Sequence, residues 1–582
     1  VSLSVNYGAS TVIIPDERTI DLLAGGNLMK IKVYHNGDDT FIAWNPEKII
    51  PGCRGFALMC RCNGKDETVS TWVGFEGQAH TEGERHPSTK WPIQKYQWSD
   101  YMANPGDRVQ YRVIPMTGTD KDHLTQCLDE ASDWTDEITL SHTFEPNIEG
   151  YFNRGIVASQ WVSRRLGVTA TDLKTATLKK VINTQGDPLR EYLFGPLGAR
   201  LIELLADAAA RGLEVYTALF ELDDLQLQAA LLKLGMHAHI VLANGSVKTK
   251  GEDENKTART LLKGKIDLYD RMCAPRALGH NKFMVICDTN KKPRWVWTGS
   301  LNWSDTGLCT QANNSVYIDD AALAADYLKQ WNALKDAGDA SPHMLKVSDS
   351  VPWESTVATA PVTLWFTPTL KEVDLEEARQ LISGAQHAIL FLMFNPGPKD
   401  SLLNQIIATA QAKAGMNELY VRGALNQDPS TTANPLQLFH GKQTDIADFD
   451  VVLPASIDAP TSWFSREMTR LAGTNAMVHS KVVVIDPFSA NPVLMTGSHN
   501  LGPKASGTND ENLLLIRNAP HLAAAYATNV MSVYNQYRWR FRRQTGPGKE
   551  NWQGLKDNDT WQSWYLQPGS NSLKEIQFWV GE

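Results

Sequence analysis

The feature that most restricts this chain is a doubled pattern. His280-Asn281-Lys282 is followed by Gly299-Ser300-Leu301-Asn302, and His479-Ser480-Lys481 by Gly497-Ser498-His499-Asn500. The histidines stand 199 positions apart, and the internal order of the two copies is the same. A repeat of this length points to two structural units of one layout, with a single site assembled from both. In an extended strand residues i and i+2 share a face, so each histidine projects beside its lysine. The apolar runs 283–286 and 482–485 that follow read as strands buried on both sides. A Gly-Ser-x-Asn turn after the next strand adds a hydroxyl, an amide and free backbone N–H groups. Each unit thus offers imidazole, ammonium and neutral donors to one tetrahedral anion.

The texture of the chain agrees with duplication. From about residue 25 to 145, short apolar or alternating segments (28–34, 40–44, 55–61, 68–75, 93–98, 108–114 and 137–141) are separated by Gly, Pro, Asn and Asp clusters. They predict an all-β sandwich of immunoglobulin or fibronectin type III style, serving as an accessory module. Helical and buried-strand patterns then alternate twice in the same order. The expected architecture is α/β: two pseudo-twofold-related units after the β-sandwich. The expected domains are 1–145 (sandwich), 146–345 (first half) and 346–582 (second half, with a tail carrying Trp552, Trp561, Trp564 and Trp579). Phe220 and Phe394, after equivalent strands, read as core packing.

At 582 residues, two or three domains are expected. A net charge of −9 disfavours an extended nucleic-acid-binding face. Arg538, Arg540, Arg542 and Arg543 form the one dense basic cluster. Seven cysteines, all at or before Cys309, make no disulfide framework or zinc knuckle. They favour a reducing compartment, though export after removal of a leader stays open. No apolar run approaches the roughly 18–20 residues of a membrane span.

The doubled signature resembles the HKD motif of the phospholipase D superfamily, H-x-K-x4-D followed by G-S-x-N. The second copy fits in full, with Asp486 as the acid. In the first, Cys287 occupies the acid position and Asp288 comes one residue late, so a strand bulge or a displaced carboxylate is expected. The resemblance spans about residues 150–545. It implies a displacement at phosphorus that needs no metal or cofactor: one histidine becomes phosphohistidine and the other protonates the leaving alcohol.

On that resemblance Lys282, Lys481, Asn302 and Asn500, with Ser300 and Ser498, hold substrate oxygens, and Trp303 walls the pocket. Asp288 and Asp486 are supporting. Glu511 follows Asn500 by eleven positions, where family members carry a bracing carboxylate; Asn313 follows Asn302 by eleven. Glu511 is expected to brace His479 as imidazolium, and Asn313 to fix His280. His280 is then the nucleophile and His479 the acid/base. The expected substrate is a glycerophospholipid, with transient membrane-surface contact, possible transfer of the phosphatidyl group to another alcohol, and a monomeric enzyme. A nuclease of the same superfamily and a catalytically weak phosphate- or lipid-binding protein stand as alternatives.

Overall fold

A computed structural model describes residues 29–79, 81, 84–155, 175–415, 418–433, 449–452, 477–545 and 554–581. Its centre is a pair of eight-stranded mixed sheets of one design. In spatial order the first runs Thr143–Glu145, Ile148–Phe152, Asn314–Asp319, Pro293–Gly299, Lys282–Cys287, Val215–Leu219, Ala238–Ala243 and Asp267–Arg271. The second repeats that order with Trp353–Val357, Ala360–Thr367, Glu511–Arg517, Val493–Gly497, Lys481–Ile485, Ala388–Met393, Tyr420–Leu425 and Phe449–Val452. Both signature strands lie inside their sheets and are buried at every position, as their unbroken apolar runs require.

Helices cover the faces. The first long helical segment, Pro188–Arg211, is kinked at Gly195, whose φ is 52°. Asp187 caps its start by accepting from the Leu189 N–H at 2.8 Å, and Gly212 ends it at φ 64°. Helices Ala321–Ala337 and Pro520–Thr545 close the two halves. One continuous core joins the halves: Val285, Val296 and Tyr327 of the first share it with Leu390, Val482 and Tyr526 of the second. The pseudo-dyad therefore passes through packed interior, which fixes the register of one half against the other.

The described N-terminal residues carry strands, in a sheet of three (Lys30–His35, Thr40–Asn45, Gln97–Asp100) and one of five built on the pair Cys53–Cys62 and Arg108–Gly118. Ile42, Trp44, Phe56, Leu58 and Tyr111 share its core. The C-terminal helices Trp561–Leu566 and Asn571–Val580 return to this region. Trp561 donates its indole N–H to the Cys53 carbonyl at 3.0 Å and stacks on Tyr96. Trp579 is buried, whereas Trp564 is exposed. Arg538 pairs with Glu575 of the last helix at 2.9 Å. The side chains of Arg540, Arg542 and Arg543, and all of Trp552, lie outside the described residues. Among the described residues no helix is long and apolar enough to cross a membrane.

Candidate active site

Both signature histidines are carried to the junction of the halves by backbone pairing. The His280 N–H donates to the Asp510 carbonyl at 2.9 Å, and the His479 N–H to the Ala312 carbonyl at 3.0 Å. Gln311–Ala312 pairs in parallel with Met477–Val478, and Gly279 bridges to Asp510. Side chains repeat the exchange. Thr298 donates to Asn512 Oδ1 at 2.8 Å, and Asn314, equivalent to Asn512, donates to Thr496, equivalent to Thr298, at 2.7 Å.

This pairing decides which residue holds which imidazole. Nδ1 of His280 lies 2.7 Å from Glu511 Oε2, and Nδ1 of His479 lies 2.9 Å from Asn313 Oδ1. The expected braces are thus exchanged: Glu511 serves His280, and Asn313 serves His479. The physical reason is that each brace begins or precedes a strand whose end is bridged to the opposite half's signature. Both acceptors fix the proton on Nδ1 and leave the Nε2 lone pair for chemistry.

The site is buried and electrically crowded. His280, Lys282, His479 and Lys481 are all at most 4% exposed. Burial pushes the His280 imidazole down to about 4, against the opposing pull of Glu511. Burial, with the charges of Lys481 and Lys282, holds His479 well below its usual value, and a backbone contact with Ser300 opposes this. Burial lowers Lys282 to about 7 and takes Lys481 well below the usual lysine range. Burial works against ionisation of Glu511, but His280 and Lys282 outweigh it and keep the carboxyl below its ordinary value.

Each lysine donates to the carbonyl of its own histidine, Lys282 at 2.7 Å and Lys481 at 2.5 Å. Two phenylalanines complete the setting. Phe220 meets the His280 ring edge-on at 4.6 Å between centroids, and Phe394 meets His479 at 4.8 Å. The same rings lie under the ammonium groups of Lys282 and Lys481, at 5.0 and 4.8 Å. These residues were expected to be plain core. Their position one residue past equivalent strands was the available signal.

Other expected residues fall differently. Asn302 donates to Glu221 Oε2 at 2.8 Å, and the Oδ1 atoms of Asn302 and Asn500 have no partner among the described residues. Glu221, which the motif does not contain, is raised to about 7 by burial in spite of Lys282. Ser300 and Ser498, expected at substrate oxygens, bond within the protein. Ser300 donates to Asn313 Oδ1 at 2.8 Å, and Ser498 accepts from the Asn512 N–H at 3.0 Å. Trp303, expected as a pocket wall, is fully buried in the core of the first half, because its backbone bridges to Leu222.

Asp486 sits at the far end of its strand, five residues beyond Lys481, about 16 Å away at roughly 3.3 Å per residue. There it accepts backbone N–H bonds from Gln386, His387 and Ala388 at 2.7, 2.7 and 2.8 Å. It ties two strands together. Cys287 takes the equivalent place in the first half: its N–H donates to the Glu214 carbonyl as that of Asp486 does to Ala388. Asp288 is displaced into the following turn, where it accepts from the Asn290 and Lys292 N–H groups. A register shift does occur beside it, between Ile286 and Cys287 against the Pro293–Gly299 strand.

Comparison with known proteins matches a family described as "Cardiolipin synthase, PLD-like domain" over residues 190–335 and 378–534. A protein named "Phospholipase D" from Rickettsia bellii (strain RML369-C) is 26% identical over 211 residues, covering 36% of this chain and 85% of that protein. "Uncharacterized protein L381" of Acanthamoeba polyphaga mimivirus is 32% identical over 81 residues, 14% of this chain and 26% of that protein. Among solved structures, phosphatidylserine synthase of Haemophilus influenzae Rd KW20 superposes with a TM-score of 0.41 at 13% identity. That superposition covers 59% of this chain and 87% of the other.

Proposed function

The chain belongs to the phospholipase D superfamily, and on that premise we propose that it is a phosphodiesterase acting on glycerophospholipids, able to pass the phosphatidyl group to water or to another alcohol. The observation that carries this reading is the crossed bracing, in which Glu511 and Asn313 hold the opposite half's histidine. Neither half has a complete set of reacting groups alone. The lipid substrate is supported by the family description and by the name of the rickettsial relative. The net charge of −9 also speaks against a polyanionic partner. We read the N-terminal sheets as an immunoglobulin- or fibronectin-like accessory sandwich.

In the proposed reaction Nε2 of His280 attacks phosphorus, and the bond from phosphorus to the leaving oxygen breaks. His479 gives that oxygen a proton and then takes one from water or an acceptor alcohol, which displaces His280. The exchanged braces suit these roles for a reason opposite to the one expected. Phosphorylating His280 makes its ring cationic, and the Glu511 carboxylate offsets that charge. His479, held by a neutral amide, keeps a weakly basic ring that gives up a proton readily. The diester anion supplies the negative charge that favours protonated His479 and charged lysines.

Incubation with phosphatidylcholine and ethanol in EDTA is expected to yield phosphatidic acid and phosphatidylethanol. Cleavage of DNA but not lipid, abolished by His479→Ala, would move the reading to a nuclease. Turnover of neither, with tungstate bound at the site, would move it to a binding protein.

The pH dependence follows from the site. His280 must be neutral, as it is above about 4, and Lys282 must be charged, as it is below about 7. The kcat/KM of the free enzyme is therefore expected to rise through the first value and to be lost by the second, the fall beginning where the acid His479, held well below its usual value, gives up its proton. The upper limb of kcat lies higher, since bound anion favours the ammonium. A kcat/KM that stays level well past about pH 7 would contradict this assignment of charge.

A further inference from the structure

The braces are themselves held, and by residues outside the motifs. Asn153 follows the strand Ile148–Phe152, and Thr367 ends the strand Ala360–Thr367. These strands are equivalent: Phe152 pairs with Asn314 in one sheet, and Phe366 with Asn512 in the other. Asn153 and Thr367 therefore occupy the same place in the two halves, though they share no side-chain identity.

Their bonds match as well. Asn153 Oδ1 accepts from the Asn313 N–H at 2.8 Å, and Thr367 Oγ1 accepts from the Glu511 N–H at 3.0 Å. Asn153 Nδ2 donates to the Gln311 carbonyl at 2.7 Å, and Thr367 Oγ1 to that of Asn509 at 2.8 Å. Each side chain closes a clamp around the turn before a brace, joining the N–H of the brace to a carbonyl two residues earlier. Asn153 adds bonds to the Gly307 and Leu308 carbonyls, at 3.2 and 2.8 Å. Thr367 is fully buried and Asn153 8% exposed, so water does not readily replace these bonds.

We infer that Asn153 and Thr367 are positioning residues of the reaction: Thr367 sets Glu511 on His280, and Asn153 sets Asn313 on His479. The inference rests on the reading of those histidines as the reacting pair. The clamp acts by geometry. A brace that shifts by a fraction of an ångström no longer fixes the proton on Nδ1, and the Nε2 lone pair is lost for part of the population. The two clamps answer for different histidines, which separates positioning from general loosening.

The test uses the full chain with 15N-labelled histidine, whose ring shifts report the tautomer without any substrate. The His280 and His479 signals are assigned by loss in His280→Gln and His479→Gln. Thr367→Val keeps the shape and removes the hydroxyl; it is expected to abolish the Nδ1–H signature of His280 while sparing His479. Thr367→Ser is expected to restore it. Asn153→Asp keeps an acceptor but loses the donors; it is expected to disturb His479 and spare His280. On a chromogenic diester, bis(p-nitrophenyl) phosphate, kcat should fall about tenfold or more in the first and third variants, with KM nearly unchanged. Either variant alone decides if the other does not fold. Unchanged tautomers, or both histidines changing together, would overturn the inference. A wild-type chain that turns over no diester yet gives the expected tautomer pattern would sink the proposed function and leave the clamps standing.

Discussion

His280→Ala is expected to lower turnover by about 10⁴-fold or more, and His479→Ala to do the same, with the double variant scarcely worse than either single one. Groups that act as one unit lose their joint effect when any member goes, so their losses do not add. The two imidazoles meet this condition structurally. Their backbones are paired across the pseudo-dyad, and each is held by a residue of the other half. An alkaline denaturing quench during turnover is expected to trap the phosphatidyl group on the peptide containing His280, because a phosphorus–nitrogen bond to imidazole survives alkali and is lost in acid. Label on the His479 peptide would reverse the two roles, and losses that simply multiply in the double variant would mean the histidines do not work on one phosphorus.

The second large effect falls on stability. Arg271, at the end of the strand Asp267–Arg271, is 1% exposed and donates to both carboxylate oxygens of Asp510, at 2.8 and 3.0 Å. It also donates to the carbonyls of Gly338 and Ala340 in the connector between the halves. Arg271→Met leaves the Asp510 charge buried without a partner, which costs about 3–5 kcal/mol. The damage also reaches the site, because Asp510 precedes Glu511 and its carbonyl accepts from the His280 N–H. The urea midpoint is therefore expected to fall together with activity. Adding Asp510→Leu should recover much of the midpoint, since a buried pair replaced by apolar groups is often neutral. A single variant within about 1 kcal/mol of the parent would contradict the burial argument.

The motif residues were legible because two-residue spacing in a strand leaves little choice. His280 and Lys282 meet one phenylalanine ring, as do their counterparts, although the strands begin only at the lysines. The equal layout of the halves was legible from the repeated order of helix and strand. The owner of each brace was not. Eleven positions separate Asn500 from Glu511 in sequence, yet the bond runs to His280, because packing between the halves decides the partner and no local pattern records it. Trp303 departs from its expected place for a similar reason: next to Asn302 in sequence, it turns into the core where its backbone meets Leu222. Asp486 shows that a residue within a motif can serve the scaffold, and so Cys287 in its place leaves the reacting groups untouched. The clamps gave no repeat signal, since Asn153 and Thr367 do the same work with different chemistry.

The described C-terminal residues come back to the N-terminal sheets. Leu555 bridges to Phe75, Gln562 Oε1 accepts from the Ile50 N–H at 3.1 Å, and Glu575 holds Arg422 of the second half at 2.9 Å and Gln97 of the N-terminal three-stranded sheet at 3.0 Å. Such a circuit works like a belt fastened at its buckle. A single protease cut in the connector 338–352 should leave two fragments that still travel as one particle, and separating them should require denaturant.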